Sequence, residues 1–227
     1  MVEELVPSLR GALAGILPTG WRDAAPWGYP GQSELALIAG VFAAQLQPQA
    51  VADIADSVMR RRPGSLLDDL ADLAAVDPVD LRVVLGERWG DSTVLGVPRR
   101  RAEVIHEAAL LLAHAGVRTA ADLQDAARTR GEEISTLVQS IRGLGPGTWV
   151  SIAFMAHATA LPDDAVVALV SSCTEPAHPG TTLTRAEVAE LIRLTAARLA
   201  TDERVLAYAL SRRAEEIARM PGVLAAG

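Results

Sequence analysis

The sequence contains no lysine: all 21 of its basic side chains are arginine. A side-chain amine that attacks a sugar carbon to form a Schiff base is therefore excluded. Cysteine is nearly as scarce. Cys173 stands alone, which rules out an intramolecular disulfide, a four-cysteine zinc site and a four-cysteine iron–sulfur cluster. No apolar run approaches the ~20 residues needed to span a bilayer, and the N-terminus lacks a basic-then-apolar signal pattern. A cytoplasmic location without a membrane partner is the expectation. His106, His114, His157 and His178 are scattered, with no pair at ligand spacing on a shared face, so no transition metal is expected. Strand-like alternation and internal repeats are missing as well.

What remains is a chain of 227 residues, half of them hydrophobic, enough to bury a substantial core as one domain or two closely packed lobes. Its net charge of −7 argues against indiscriminate coating of nucleic acid, since affinity for duplex comes largely from cations meeting phosphates. A local basic face is still available from Arg60–Arg62, Arg99–Arg101 and Arg142. Such arginine runs serve either as solubilising surface or as phosphate contacts.

Helical periodicity runs throughout, and the expected class is all-α. Val2 to Ile16 reads as a first helix, with Pro7 tolerable only near its start. Ser33 to Gln45 is strongly apolar through Leu35, Leu37, Ile38, Val41 and Phe42, and so central to a core. Gln49 to Arg60 and Leu66 to Ala75 follow. Asp77-Pro78 starts another helix, with the aspartate as cap and proline in the first turn. Val104 to Leu112, Thr119 to Arg128 and Glu132 to Ile141 continue the pattern. Thr184-Arg-Ala-Glu187 is a capping box that opens a helix through Leu199, and Val205 to Ile217 forms the last. The loop Trp21 to Gly31 is rich in turn formers and holds two of the four tryptophans. Its Trp27 and Tyr29 either cover a core edge or wall a pocket for a planar ligand.

The most informative stretch is Ile141-Arg-Gly-Leu-Gly-Pro-Gly-Thr-Trp149. Gly143 and Gly145 permit a sharp reversal, and Pro146 suits the first turn of a new helix. A helix, a glycine bend and a second helix present amides at a positive helix N-terminus, a place that suits a phosphate. One helix later comes Pro162-Asp163-Asp164-Ala-Val-Val-Ala-Leu-Val170. Either aspartate could cap the helix that follows, or face a substrate, or do both.

Together these stretches resemble the helix-hairpin-helix (HhH-GPD) DNA glycosylases of the endonuclease III superfamily. Gly143, Gly145 and Thr148 match the hairpin pattern of that family, and Asp164, Val167 and Val170 match its catalytic-aspartate segment. Gln45 falls where the family places a glutamine that enters the space left by an extruded base. Val94 to Ala102 is similar to a segment whose loop inserts an apolar residue into the duplex, here Leu95 or Val97, and Arg101 stands at its lysine position. The resemblance runs from about Ser33 to Val170.

It implies two helical lobes separated by a groove, residues 32–160 forming one and residues 1–31 with 161–227 forming the other. It implies Asp164 as the catalytic carboxylate, Asp163 as a possible second acid, and DNA contacts from Arg142, Gly143, Gly145, Gly147, Thr148, Gln45 and Arg101. The base pocket falls to Trp27 and Tyr29. Glycine at 147, where strand-nicking relatives carry lysine, implies hydrolysis by water without strand cleavage. Gly40, where the adenine-removing branch has glutamate, argues against that chemistry. Val166 and Leu169 replace the histidine and arginine of the strand-nicking branch. No iron–sulfur cluster is expected, while a monovalent cation at hairpin carbonyls is possible by analogy. The implied partner is duplex DNA carrying a damaged base, bound by a monomer.

A carboxylate beside C1′ stabilises the positive charge that grows on the sugar as the N-glycosidic bond breaks. Three functions stay open on the sequence. They are a monofunctional DNA glycosylase of base excision repair, a catalytically silent DNA-binding relative, and a helical interaction or regulatory protein whose glycines only turn the chain.

Overall fold

A computed structural model of the protein describes residues 2–24, 27–94 and 96–219. Among them every regular element is a helix, and the only sheet-like feature is an isolated bridge between Thr93 and Arg100. In chain order the helices are α1 (Val2–Ile16), a 3-10 turn (Trp21–Ala24), α2 (Ser33–Ala43), α3 (Pro48–Arg61), α4 (Leu70–Ala74), α5 (Pro78–Leu85), α6 (Glu87–Gly90), α7 (Arg101–His114), α8 (Ala120–Thr129), α9 (Gly131–Ser140), α10 (Pro146–Met155), α11 (Asp164–Thr174), α12 (Arg185–Arg198) and α13 (Glu203–Arg219). They fall into two compact units, Trp27–Ala160 and Met1–Pro26 with Leu161–Gly227. None of the described helices is long and apolar enough to cross a membrane.

The Trp27–Ala160 unit is built on α2, whose every residue is buried. Side chains such as Leu35, Leu37, Ile38 and Phe42 each contribute roughly 1.5–3 kcal/mol by leaving water. Helix α10 packs along α2, and Gly40 sets the distance of closest approach. A Cβ at position 40 would lie 2.6 Å from Ile152 Cα and 2.7 Å from its N, so no side chain fits there. Glu34 is buried in this apolar helix because Arg62 reaches back to it from the end of α3. Burial still holds its carboxyl above the ordinary range, with Arg62 pulling the other way.

Several boundaries are set by side chains that close the first turn. Asp69 accepts the Ala71 N–H at 2.9 Å, and Leu67 adopts φ +56°. The stretch expected to be helical from Leu66 therefore begins only at Leu70. Asp77, Thr119, Asp163 and Thr184 cap α5, α8, α11 and α12.

In the other unit α1 packs on α11 and α12, and α13 on α11 and α12, around Leu5, Leu9, Val170, Leu191 and Leu206. Pro7 lies inside α1 rather than at its start. It removes only the N–H that would meet the Glu3 carbonyl, and the buried stripe Leu5, Val6, Leu9 and Leu13 holds the helix through the gap.

Candidate nucleic-acid interface

The glycine bend of the Trp27–Ala160 unit is held from outside as well as by its own backbone. Ile141 leaves α9 in an extended conformation, the Leu144 N–H returns to the Ile141 carbonyl at 3.0 Å, and Gly143 takes φ +108°. Val94 and Val97 pack onto the bend. A Cβ on Gly143 would come within 2.8 Å of Val97 Cγ2 and 3.0 Å of Val94 Cγ1. Glycine is thus needed at 143 for both backbone and packing reasons.

Gly145 differs. It is the N-cap of α10, with φ −115° and ψ −179°, an extended conformation open to any residue, and a Cβ there would meet nothing within 4 Å. Its N–H donates to Thr148 Oγ1 at 3.3 Å, and the Thr148 N–H returns to the Gly145 carbonyl at 3.0 Å. Thr148 is buried, so its hydroxyl serves this local lock. Pro146 at the first helical position has no N–H to satisfy. The N–H groups of Gly143 and Gly147 find no hydrogen-bond partner among the described residues. Gly143 is partly exposed and Gly147 is buried, so the end of α10 presents one unused amide donor, a small positive pole, and no side chain over the N-cap.

Two arginines flank this end. Arg142 is exposed, and its guanidinium makes no ion pair or hydrogen bond among the described residues. Arg99 reaches the Arg142 carbonyl through Nη1 at 3.5 Å while Nη2 pairs with Glu107 at 2.6 Å. The sequence offers both as part of a local basic face, but only Arg142 as a contact at the bend itself. In the chain, Arg99 follows the two valines, Val94 and Val97, that cover Gly143. Val97 is partly buried on the bend, and Leu95 lies outside the described residues.

Arg101 and Gln45 are brought together, and Arg101 is turned inward. The residue is 7% exposed, donates through Nη1 to Ser92 Oγ at 2.6 Å and through Nη2 to Gln45 Oε1 at 2.5 Å, and lies over the Phe42 ring at 5.1 Å. Among the described residues no carboxylate pairs with it, and burial pulls the guanidinium below its ordinary pKa. Its role is to tie the end of α2 to the start of α7.

Trp27 and Tyr29 close the C-terminal end of α10. Trp27 meets Phe154 edge-on with ring centroids 6.4 Å apart, and the Tyr29 N–H donates to the Met155 carbonyl at 2.6 Å. Burial and the nearby Asp56 carboxylate raise the Tyr29 phenol above its usual pKa.

In the second unit the two adjacent acids divide their work. Asp163 caps α11, accepting the Val166 N–H at 2.9 Å. Asp164 points outward, its side chain 89% exposed and ion-paired with Arg185 Nη2 at 2.9 Å. Arg185 was legible only as part of the Thr184–Glu187 capping box, which the structure forms: the Thr184 N–H donates to Glu187 Oε2 at 2.9 Å. Val166 and Val170 are buried, whereas Leu169 is not.

Fold and site define an all-helical protein of two compact units with a glycine bend between paired helices. The chain belongs to the family described as "Domain of unknown function (DUF8548)", whose model matches residues 18–214. Comparison with curated proteins and with solved structures gives no match.

Proposed function

We propose that the protein binds the sugar–phosphate backbone of duplex DNA through the bend at Gly143–Gly147, in the manner of helix-hairpin-helix proteins. The observation that carries this reading is Gly145. The fold leaves room for a side chain there and none is present, so the N-terminus of α10 stays open to a close-approaching anion. The unused Gly143 amide supplies a donor, and Arg142 and Arg99 supply charge. The acidity of the whole chain confines attraction to this edge, so affinity is modest and steeply salt-dependent.

The experiment is fluorescence anisotropy of a labelled 20-base-pair duplex at several salt concentrations. Saturable binding whose logarithm falls linearly with the logarithm of salt supports the reading. Absence of binding at low salt overturns it.

A second reading, hydrolytic removal of a damaged base without strand cleavage, is favoured by the division of labour at α11. Asp163 is spent on its own helix, which leaves Asp164 as the carboxylate open to solvent and oriented by Arg185. In this reading Asp164 stabilises the developing sugar cation and helps place the attacking water. Base extrusion, costing a few kcal/mol, is offset by the hairpin contacts. The test is incubation with duplexes carrying alkylated, deaminated or oxidised bases, followed by alkali to cut abasic sites. Activity lost in Asp164→Asn with duplex binding retained supports the glycosylase. Binding without cleavage of any lesion leaves a DNA-binding protein that does no chemistry.

A further inference from the structure

Most guanidiniums of the described residues are engaged: Arg62 with Glu34, Arg118 with Asp69 and Arg185 with Asp164 in ion pairs, and Arg22 and Arg88 over tryptophan rings. Arg10, Arg60, Arg142 and Arg198 have no such contact. Two of these idle arginines, Arg10 and Arg198, line the same cleft between α1 and α12, whose volume is about 290 Å³.

The cleft follows from helical spacing. Glu3, Val6, Pro7 and Arg10 recur along one face of α1, and Leu194 and Arg198 are one turn apart on α12. Val6, Pro7 and Leu194 give it apolar wall. Glu3 forms no ion pair with either arginine and stands about 10 Å from Arg10 along the helix axis. Two guanidiniums and one carboxylate leave the cleft with a single net positive charge. Both arginines are exposed to solvent, so their repulsion is largely screened; what they offer is geometry, since guanidinium forks match a carboxylate. The single net charge suits a monoanion better than a phosphate dianion, and the cleft's volume lies just below the roughly 300–1,000 Å³ of drug-sized ligand clefts, so only a small ligand fits.

We propose that this cleft binds a small organic monocarboxylate, its carboxylate held by Arg10 and Arg198 and its apolar body against Val6, Pro7 and Leu194. The site is separate from the glycine bend and does not depend on the DNA-binding reading.

Isothermal titration of the full chain with hexanoate and with benzoate at pH 7, against 1-hexanol and inorganic phosphate, tests it. Saturable binding of at least one carboxylate is expected, with none for hexanol and weaker binding for phosphate. Losing one charge-assisted contact in Arg10→Gln or Arg198→Gln weakens carboxylate binding about tenfold, and Glu3→Gln strengthens it, with thermal melts confirming that each variant is folded. The proposal is overturned if neither carboxylate binds, if the double variant Arg10→Gln/Arg198→Gln binds as the parent does, or if phosphate binds as tightly through the same arginines. It is equally overturned if the double variant retains carboxylate binding and loses duplex affinity, which would make the arginines a nucleic-acid contact.

Discussion

Helix α11 begins on an aspartate whose side chain accepts the Val166 N–H, whereas α10 begins on a glycine with no side chain to do so. Both helices need their first-turn N–H groups satisfied. At α11 the Asp163 carboxylate takes the Val166 N–H and stands over the helix end, although the Asp164 and Ala165 N–H groups find no partner among the described residues. At α10 the threonine hydroxyl takes the N–H of the cap itself, and donors on either side are left over. Both starts keep unpaired amides; what differs is that a carboxylate stands over the end of α11 and no side chain stands over the end of α10, so only α10 is free of a negative charge of its own.

The bend that sets up α10 breaks most severely at its first glycine. Gly143→Ala must hold a side chain at φ +108° against Val94 and Val97. It is expected to cost roughly 2–3 kcal/mol by chemical denaturation and to remove duplex binding in proportion. Converting α10 to the α11 pattern sharpens the comparison further. In Gly145→Asp the new carboxylate has room and caps the helix, so stability is unchanged or higher by about 0.5–1 kcal/mol. Duplex affinity nonetheless falls at least about tenfold, because a negative charge now occupies the phosphate position. A variant more stable and poorer at binding is the signature of an open N-terminus.

The reverse change is smaller. Asp163→Ala removes the closed cap and costs about 1 kcal/mol in a thermal or denaturant melt, without effect on duplex affinity. Arg142→Gln, on an exposed side chain, leaves stability within ~0.5 kcal/mol. It lowers affinity a few-fold and reduces the slope of log affinity against log salt by about 1.

The slightest effect is on pH dependence, read at a third helix start. Asp122 accepts the N–H groups of Thr119 at 2.8 Å and Arg118 at 3.0 Å, and the Thr119 contact foremost holds its carboxyl below the usual range. The folded state thus prefers the ionised form. Its contribution is complete above the ordinary aspartate value and is lost as pH falls through the lowered one. Melting temperature should decline more steeply below about pH 4 in the parent than in Asp122→Asn.

Capping residues made much of this architecture readable beforehand, because they act within four residues. Asp77-Pro78, Thr119 and Thr184-Arg-Ala-Glu187 mark helix starts where the structure has them. The apolar run from Leu35 to Phe42 marks a helix that is buried on all sides. What depends on distant partners was not readable. Gly143 looks like a turn residue until Val94 and Val97 arrive over it. Arg101 looks like one of three solvated arginines until its neighbours prove to be Phe42, Ser92 and Gln45. Glu34 looks like an exposed first-turn acid until Arg62 reaches it. The resemblance picks out Asp164, but which of Asp163 and Asp164 caps the helix was open in the sequence; the structure gives the cap to the first and solvent to the second. Gly40 shows the same limit, since its need for glycine comes from the approach of Ile152 across the helix pair.

The central claim is that the N-terminus of α10 holds a phosphate of the duplex, and amide NMR reads it most directly. On titration of the isotope-labelled protein with an unmodified 20-base-pair duplex, the Gly143 resonance should show the largest shift. That shift should shrink as salt is raised and be absent in Gly145→Asp. Duplex binding that leaves this resonance in place while perturbing amides elsewhere would contradict it.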